Sequence, residues 1–165
     1  MLRFDFRYLD KKKADIFLPT VFSILHSNMS VIAPTGNSYA EDERIFLENV
    51  APALEKAPRQ IVLFYDGEIL FGYFQYYVNG ELFMMEEIQL KREYWHCGAF
   101  GEFYRWLLPL LPDGIARVEA FAHKKNENSR SILRHLGLRP IDENENHIHF
   151  RGEFSALCDH YVKNA

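Results

Sequence analysis

Two adjacent glutamates, Glu86 and Glu87, interrupt the apolar segment LFMMEEIQL at residues 82–90. Carboxylates inside an otherwise apolar strand are unusual, which makes both residues candidates for a group that accepts a proton. Because side chains alternate between the two faces of a strand, only one of the pair can face a given cleft. Glu86 shares its parity with Met84 and Ile88, so Glu87 is the preferred base. The competing interpretation is a strand that simply carries two charges at its edge.

A polar turn with two glycines follows this segment. Residues 94–102 read YWHCGAFGE, and Phe100, Phe103 and Leu107 then have the spacing of a helix. The unpaired N–H groups at a helix start carry about half a positive charge and suit an anion such as a pyrophosphate. The turn is therefore a candidate site for a nucleotide-like cofactor, although many turns with two glycines bind nothing.

The composition predicts one domain, residues 1–165. With 165 residues, of which 48% are hydrophobic and 15% aromatic, the chain can bury roughly two-thirds of its unfolded surface in a single core. Nineteen basic and 23 acidic residues give a net charge of -4, so the overall field does not favour nucleic acid or an anionic membrane as a partner. We expect any acidic ligand to be held locally.

The cysteines and the amino terminus indicate a cytoplasmic protein. Cys97 and Cys158 lie far apart without a metal-like spacing, which predicts two reduced thiols and no metal. Residues 2–8 alternate polar and apolar types, unlike a secretion signal. No apolar run approaches the roughly 20 residues that a membrane helix needs.

The amino-terminal elements are a strand and a helix. The alternation over residues 2–8 predicts a half-buried first strand. Apolar positions over residues 14–29 predict a helix, which we expect to be broken near Pro19 because proline lacks a backbone N–H.

A second helix is predicted from its cap. Ser38 and Glu41 stand three residues apart ahead of an apolar run and form a capping box. The helix should extend from about Tyr39 to Ala51 and end at Pro52.

A meander of three strands follows. Residues 61–65, 68–78 and 81–90 are apolar-rich runs separated by Asp66-Gly67 and Asn79-Gly80. These dipeptides accept positive backbone dihedrals at both central positions of a two-residue hairpin.

The carboxy-terminal half alternates helices and strands, so the whole chain is predicted to be α+β, with a central mixed, mostly antiparallel sheet flanked by helices. The predicted elements are a helix at 98–108, a strand at 115–122, a helix at 127–135 ended by Gly137, a hairpin of 138–141 and 147–150, and a short helix from 153.

This order of elements resembles the GNAT acyl-CoA N-acyltransferase fold over nearly the whole chain. Residues 122–138, AHKKNENSRSILRHLGL, resemble the segment of the RimJ/RimL branch in which an Asn, a Ser three later and a Leu-x-x-Leu-Gly ending follow the fifth strand. Residues 94–102 resemble the Tyr-Trp-Gly-x-Gly-x-Ala-x-Glu turn of that branch. The family pattern has Gly where His96 stands and Gly or Ala where Phe100 stands.

Small residues are needed in that turn because the backbone must approach the pyrophosphate oxygens. Either Phe100 points into the core with Phe103 and Leu107, or the turn is shifted so that Gly101 takes the role.

The resemblance implies that acetyl-CoA is the co-substrate and that an amine attacks its thioester carbonyl directly in a ternary complex. The backbone of Ile88, Gln89 and Leu90 would bond the pantetheine arm and polarise the thioester oxygen. Asn126 would cap its helix and touch the cofactor arm. The cofactor-binding turn would comprise Trp95, His96, Cys97, Gly98, Ala99, Phe100 and Gly101.

The resemblance also indicates the proton-transfer groups. Many GNAT enzymes protonate the leaving thiolate with a Tyr, but the matching position here is Leu133, as in the RimJ/RimL branch. Ser129 could do so, directly or through a water, or could act only as a helix-start hydroxyl. His96 and His123 are further candidates for a base or a phosphate donor. Cys97 lacks an obvious base partner for a nucleophilic role.

The acceptor is expected to be a primary amine, either a small molecule or a protein N-terminus. An α-amine with a pKa of about 8 is neutral about one time in ten at neutral pH, whereas a lysine of pKa about 10.4 needs roughly 4 kcal/mol to reach the neutral form. A homodimer is an open alternative to a monomer. The alternative function is a catalytically silent GNAT-fold protein that binds an acyl-CoA or a partner without turnover.

Overall fold

The computed structural model describes residues 1–56 and 58–163, which form a seven-stranded sheet with helices. The sheet order is β1-β2-β3-β4-β5-β7-β6. This arrangement confirms the predicted α+β class. The strands are β1 (Phe4–Tyr8), β2 (Gln60–Asp66), β3 (Ile69–Asn79), β4 (Leu82–Leu90), β5 (Arg117–His123), β6 (Arg139–Glu143) and β7 (His147–Glu153). The helices are α1 (Ala14–Ile32), α2 (Tyr39–Lys56), α3 (Ala99–Leu107), α4 (Glu127–His135) and α5 (Phe154–Cys158).

The sheet is mixed and mostly antiparallel, as predicted. β4 and β5 pair in parallel, with a register from Leu82↔Arg117 to Met85↔Ala120. β1 with β2, β5 with β7, and β6 with β7 are antiparallel. Two-residue turns join β2 to β3 and β3 to β4, and only antiparallel strands can be joined so tightly.

The hairpin turns differ from the prediction in one detail. Gly67 and Gly80 have φ of 61° and 59° and lie at the first central position of each turn. The preceding Asp66 and Asn79 are the last residues of their strands and do not have a positive φ. One positive φ at the first central position is the requirement of a type II′ turn.

Contacts between residues divide the chain into two compact units, 1–75 with 87–99 and 76–86 with 100–165. Each unit has its own buried residues. In the first unit, a cluster from α1, α2, β2, β3 and the residue after β1 comprises Leu9, Leu18, Val21, Ile24, Leu54, Ile61, Leu63 and Tyr73. In the second unit, the fully buried residues include Phe83, Phe103, Leu107, Val118, Leu138, Phe150 and Leu157.

The expected break of the first helix at Pro19 is wrong, because α1 continues from Ala14 to Ile32. Pro19 stands near the start of the helix, so the bond it removes is a single one from its N–H to the carbonyl four residues earlier. Leu18 and Val21 on either side are buried in the core. Burial of two such side chains contributes roughly 3–6 kcal/mol, comparable to or larger than the cost of about 3 kcal/mol for the proline.

The expected end of the second helix at Pro52 is also wrong, because α2 continues to Lys56. Leu54 lies beyond the proline and is 1% exposed, so core packing holds the last turn helical. One of the two hydrogen bonds of the predicted capping box is present, since the Glu41 N–H donates to Ser38 Oγ at 3.2 Å. The Glu41 carboxylate instead accepts from Arg44 at 2.6 Å.

The segment Lys11–Ile32 meets the length and composition criteria for a membrane-spanning helix, with a mean hydropathy of 1.2. The expectation that no segment would do so is therefore wrong. Twenty-eight per cent of the 18-residue window that meets the criteria is buried, and both a core helix of a soluble protein and a signal sequence near the N-terminus pass the same test.

Candidate functional site

The turn between β4 and α3 has a left-handed backbone at two positions. His96 has φ of 62° and Gly98 has φ of 85°, and α3 begins directly afterwards at Ala99. Among the described residues, His96 is the only non-glycine with a positive φ. A left-handed φ costs a residue with a Cβ about 1–2 kcal/mol, and glycine avoids that cost. His96 therefore adopts a conformation suited to the glycine that the motif has at its position.

Tyr94 anchors the turn to the meander. Its ring stacks on Phe71 with centroids 4.3 Å apart, and its hydroxyl donates to Asp66 Oδ2 at 3.0 Å. Burial and the hydrogen bond to Asp66 raise the pKa of Tyr94. The Tyr94 hydroxyl therefore stays protonated and donates at neutral pH. These contacts fix the position of Tyr94 at the start of the turn.

The start of α3 bears on one of the two alternatives for Phe100. Gly101 is the third residue of the helix, so the turn is not shifted toward it. Phe100 is half-buried, and Phe103 and Leu107 on the same helix are fully buried. A Cβ on Gly101 would lie 3.3 Å from Arg105 Nη1. The cationic guanidinium of Arg105 therefore lies against the first turn of α3.

The end of β4 presents its backbone groups in alternation. The Lys91 N–H donates to the Phe71 carbonyl of β3 at 2.8 Å, and the Gln89 carbonyl lies 2.8 Å from where a Cβ on Gly72 of β3 would be. Alternation then directs the backbone groups of Ile88 and Leu90 to the opposite side of β4. The register with β5 ends at Met85, five residues before β4 itself ends at Leu90.

This geometry narrows the backbone groups expected to bind the pantetheine arm. The Gln89 carbonyl lies beside Gly72 of β3, and its expected bond to the pantetheine arm stays a prediction. The Leu90 carbonyl accepts from Asn28 Nδ2 at 2.8 Å and from Trp95 Nε1 at 3.1 Å, so it already has two donors. Both groups of Ile88 and the N–H of Leu90 remain candidates.

The two glutamates are both half-buried, and the structure shows the surroundings of Glu87 in detail. Glu87 Oε1 accepts a hydrogen bond from Gln89 Nε2 at 2.7 Å. Gln89 Oε1 in turn accepts from Asn28 Nδ2 at 2.9 Å. Tyr73 lies fully buried near Glu87, and burial together with the Glu87 charge raises the pKa of its phenol well above the usual value.

Sequence reasoning missed Asn28 and Tyr73. Asn28 is 6% exposed on α1 and follows buried Val21 and Ile24 at helical spacing. A polar residue on the apolar stripe of a helix is the signal that could have found it, because buried amides need partners.

Asn126 and Ser129 lie in the second unit, at the start of α4. Asn126 Oδ1 accepts from the Ser129 N–H at 3.1 Å, which is the predicted cap. Ser129 is the third residue of α4, and the Asn126 side chain caps that helix; both alternative roles of the Ser129 hydroxyl stay predictions. Leu133, at the position of the family tyrosine, is buried.

The remaining candidates lie near the ends of their elements. His123 Nδ1 accepts from the Lys125 N–H at 3.1 Å. Burial and the neighbouring His147 and Lys125 lower the pKa of His123, so its imidazole is neutral at pH 7. His96 is exposed, and Cys97 is a half-buried free thiol.

Comparisons with known proteins identify the fold. No family model and no curated protein matches the sequence. An acetyltransferase from Thermus thermophilus aligns with a TM-score of 0.71 at 17% identity, over 93% of this chain and 98% of that one. The PaiA N-acetyltransferase of Thermoplasma acidophilum, solved in complex with coenzyme A, aligns with a TM-score of 0.69 at 13% identity, over 93% and 100% of the two chains.

The ribosomal-protein-S5-alanine acetyltransferase of Vibrio fischeri aligns with a TM-score of 0.63 at 14% identity, over 93% of this chain and 94% of that one. Other solved structures with this likeness are described as GNAT proteins. Identities this low establish the architecture alone. The chain has the fold of the GNAT acetyltransferases.

Proposed function

We propose that the protein is an N-acetyltransferase that transfers an acetyl group from acetyl-CoA to a primary amine. The observation that carries the proposal is the left-handed backbone at His96 and Gly98 directly before α3. A histidine is held in a glycine conformation where the resemblance expects a pyrophosphate-binding turn. Retaining a strained backbone against the preference of the side chain is typical of functional turns.

The turn and α3 would hold the pyrophosphate. The N–H groups at the start of α3 have no intrahelical partners and carry a partial positive charge. Ala99, Phe100 and Gly101 are the first three residues of this helix. Arg105 lies against Gly101 and adds a full positive charge beside it. Glu102 also lies in the first turn of α3, so the proposed pyrophosphate site depends on the N–H groups and Arg105 within a chain of net charge -4.

Glu87 is the proposed base. The amine nitrogen forms a bond to the acetyl carbon, the carbon–sulfur bond breaks, and Glu87 accepts the proton that the nitrogen loses. Because buried Leu133 has no proton to give, the thiolate leaves as such and takes a proton from solvent. A thiol of pKa about 8.5 makes a thiolate an acceptable leaving group near neutral pH.

The acceptor is proposed to be an amine of low pKa, either a small molecule or a protein N-terminus. The cost of reaching the neutral amine at pH 7 is about 1.4 kcal/mol for an α-amine and about 4.6 kcal/mol for a lysine. Initial rates on matched peptides with a free α-amine or only a free lysine test this. A clear preference for lysine would contradict it.

Thermal unfolding with coenzyme A tests the cofactor site. A ligand at about 100 times its dissociation constant should stabilise the protein by about 2.7 kcal/mol. Gly98→Ala should abolish this response, and Gly36→Ala is the matched control. The two glycines have φ of 85° and 83°, and among the described residues a Cβ at either would meet nothing within 4 Å. Both variants therefore carry the same backbone cost, and only Gly98 lies in the turn.

The second candidate is a GNAT-fold protein that binds acyl-CoA without turnover. The two donors on the Leu90 carbonyl favour it, since that group is no longer open to the pantetheine arm. Stabilisation by coenzyme A without acetylation of any amine would support this alternative. No stabilisation at millimolar coenzyme A would contradict both. A cytoplasmic location stays a prediction from composition.

A further inference from the structure

A directional chain of hydrogen bonds reaches Glu87 from helix α1. The Leu90 carbonyl can only accept, and Asn28 Nδ2 lies 2.8 Å from it, so this contact fixes which end of the Asn28 amide is the donor. The same Nδ2 lies 2.9 Å from a polar end of Gln89, which must therefore be Oε1. Nε2 of Gln89 is then the group that faces Glu87 Oε1 at 2.7 Å.

We propose that Asn28 and Gln89 are positioning residues for Glu87, because this chain of bonds offers Glu87 Oε1 a donor and never an acceptor. The role of Glu87 as a base rests on the acetyl transfer proposed above. The hydrogen bonds that position it are observed in the structure. Oε1 is held as an acceptor, and a proton taken from the amine then goes to Oε2.

Burial makes this arrangement more than an incidental contact. Asn28 is 6% exposed and Gln89 is 8% exposed. Water competes little for such amides, so a reversed amide would place two donors or two acceptors face to face at the cost of a buried unsatisfied group. The Leu90 carbonyl also accepts from Trp95, which is in the turn before α3. The same carbonyl thus orients the chain to Glu87 and fixes one side chain of the proposed cofactor turn.

The other ionisable groups near this chain do not supply the same effect. Tyr73 of β3 stays neutral because burial and the Glu87 charge raise its pKa. His26 of α1 is directed to α2, where its ring meets that of Tyr39 edge to face and lies 4.0 Å from Asp42. Glu86 is the adjacent residue of β4, and strand alternation directs its side chain to the other face.

Asn28→Asp should reverse the direction of the hydrogen bonds from residue 28 through Gln89 to Glu87, because aspartate has the size of asparagine but no donor. The new carboxylate has only acceptors, so Gln89 must turn to donate to it and present Oε1 to Glu87. The repulsion between the facing oxygens of Gln89 and Glu87 is removed when Glu87 carries a proton. The Glu87 carboxyl should then titrate about one pH unit higher than in the wild type, which corresponds to one hydrogen bond of roughly 1.4 kcal/mol.

The titration is followed by the carboxyl carbon resonance of ¹³C-labelled glutamate, with Glu87 identified by its loss in Glu87→Gln. Gln89→Met provides the control background. If the hydrogen bonds through Gln89 transmit the change at residue 28, Asn28→Asp should move the Glu87 midpoint far less in the Gln89→Met background. An equal displacement in both backgrounds means a direct charge effect and overturns the proposal.

Gln89→Met alone is a second test if Asn28→Asp does not fold by circular dichroism. Loss of the donor to Oε1 should raise the Glu87 midpoint, and an unchanged midpoint overturns the proposal. In turnover, Asn28→Asp should lower kcat by up to tenfold at pH values below the Glu87 midpoint, with KM for acetyl-CoA within twofold, and kcat should recover as pH rises. If the wild type shows no turnover, the proposed function is contradicted. The titration still tests whether Asn28 and Gln89 control the protonation of Glu87.

Discussion

His96 is the residue at which sequence and backbone disagree most. Its φ of 62° is one that glycine adopts freely. His96→Gly should raise the free energy of unfolding by roughly 0.5–1 kcal/mol, since a left-handed cost of about 1–2 kcal/mol is removed and a glycine entropy cost of about 0.5–1 kcal/mol is added. Urea denaturation measures the change.

His96→Ala separates the backbone from the imidazole. Alanine keeps the left-handed cost and removes the ring, so stability should change little from the wild type. Both variants should keep the response to coenzyme A, because the proposed contacts are made by backbone N–H groups. Loss of that response in both would assign the contact to the imidazole instead.

At the scale of elements, α4 depends on its cap. Asn126 Oδ1 accepts from the Ser129 N–H, and removing such a cap costs about 0.5–2 kcal/mol. Asn126→Ala should lose that amount in urea denaturation, and Asn126→Asp should stay within about 0.5 kcal/mol of the wild type because aspartate caps equally well. Equal losses in the two variants would show that the amide has another structural partner.

Helix α2 tests the balance between a proline and core packing. Pro52→Ala should stabilise the protein by up to about 2 kcal/mol, since an interior proline costs about 3 kcal/mol and its loss gives the unfolded chain back about 0.4–1 kcal/mol of entropy. Leu54→Ala should destabilise by about 2–5 kcal/mol, because Leu54 is 1% exposed. A stable Leu54→Ala variant would show that packing does not hold the last turn.

At the scale of the whole molecule, Glu119 is expected to govern acid stability. This β5 residue is 4% exposed and contacts Arg117 at 3.1 Å, His149 at 2.6 Å and Arg151 at 3.5 Å. Burial alone would raise the pKa of its carboxyl, but Arg117, Arg151 and His149 together outweigh burial and hold the pKa below the usual 4.5.

A carboxyl with a lowered folded pKa contributes stability above its unfolded pKa and loses it as pH falls through the folded pKa. The free energy of unfolding should therefore fall more steeply below pH 4.5 in the wild type than in Glu119→Gln. At pH 7 the variant should be less stable by about 1–3 kcal/mol. Urea denaturation between pH 3 and 7 checks this, and parallel curves would contradict it.

The pattern of the sequence predicted most elements within a few residues. The period of two in β1, the glycines at the hairpin turns and the cap at Asn126 are local signals, and local backbone energetics decides them. The helix ends at Pro19 and Pro52 were wrong for the opposite reason. A proline penalty of about 3 kcal/mol is local, but burial of Leu18 and Val21 beside Pro19, and of Leu54 beyond Pro52, contributes stabilisation of comparable size through tertiary packing.

The sequence by itself determined the fold class, the turn at Gly98 and the pair of glutamates, because each is written in neighbouring residues. Only the tertiary structure decided that His96 takes the left-handed backbone and that Asn28 reaches the face of β4 that carries Glu87. Asn28 and Gln89 are 61 residues apart. A buried hydrogen bond over that separation depends on how α1 packs on the strands, which no local pattern specifies.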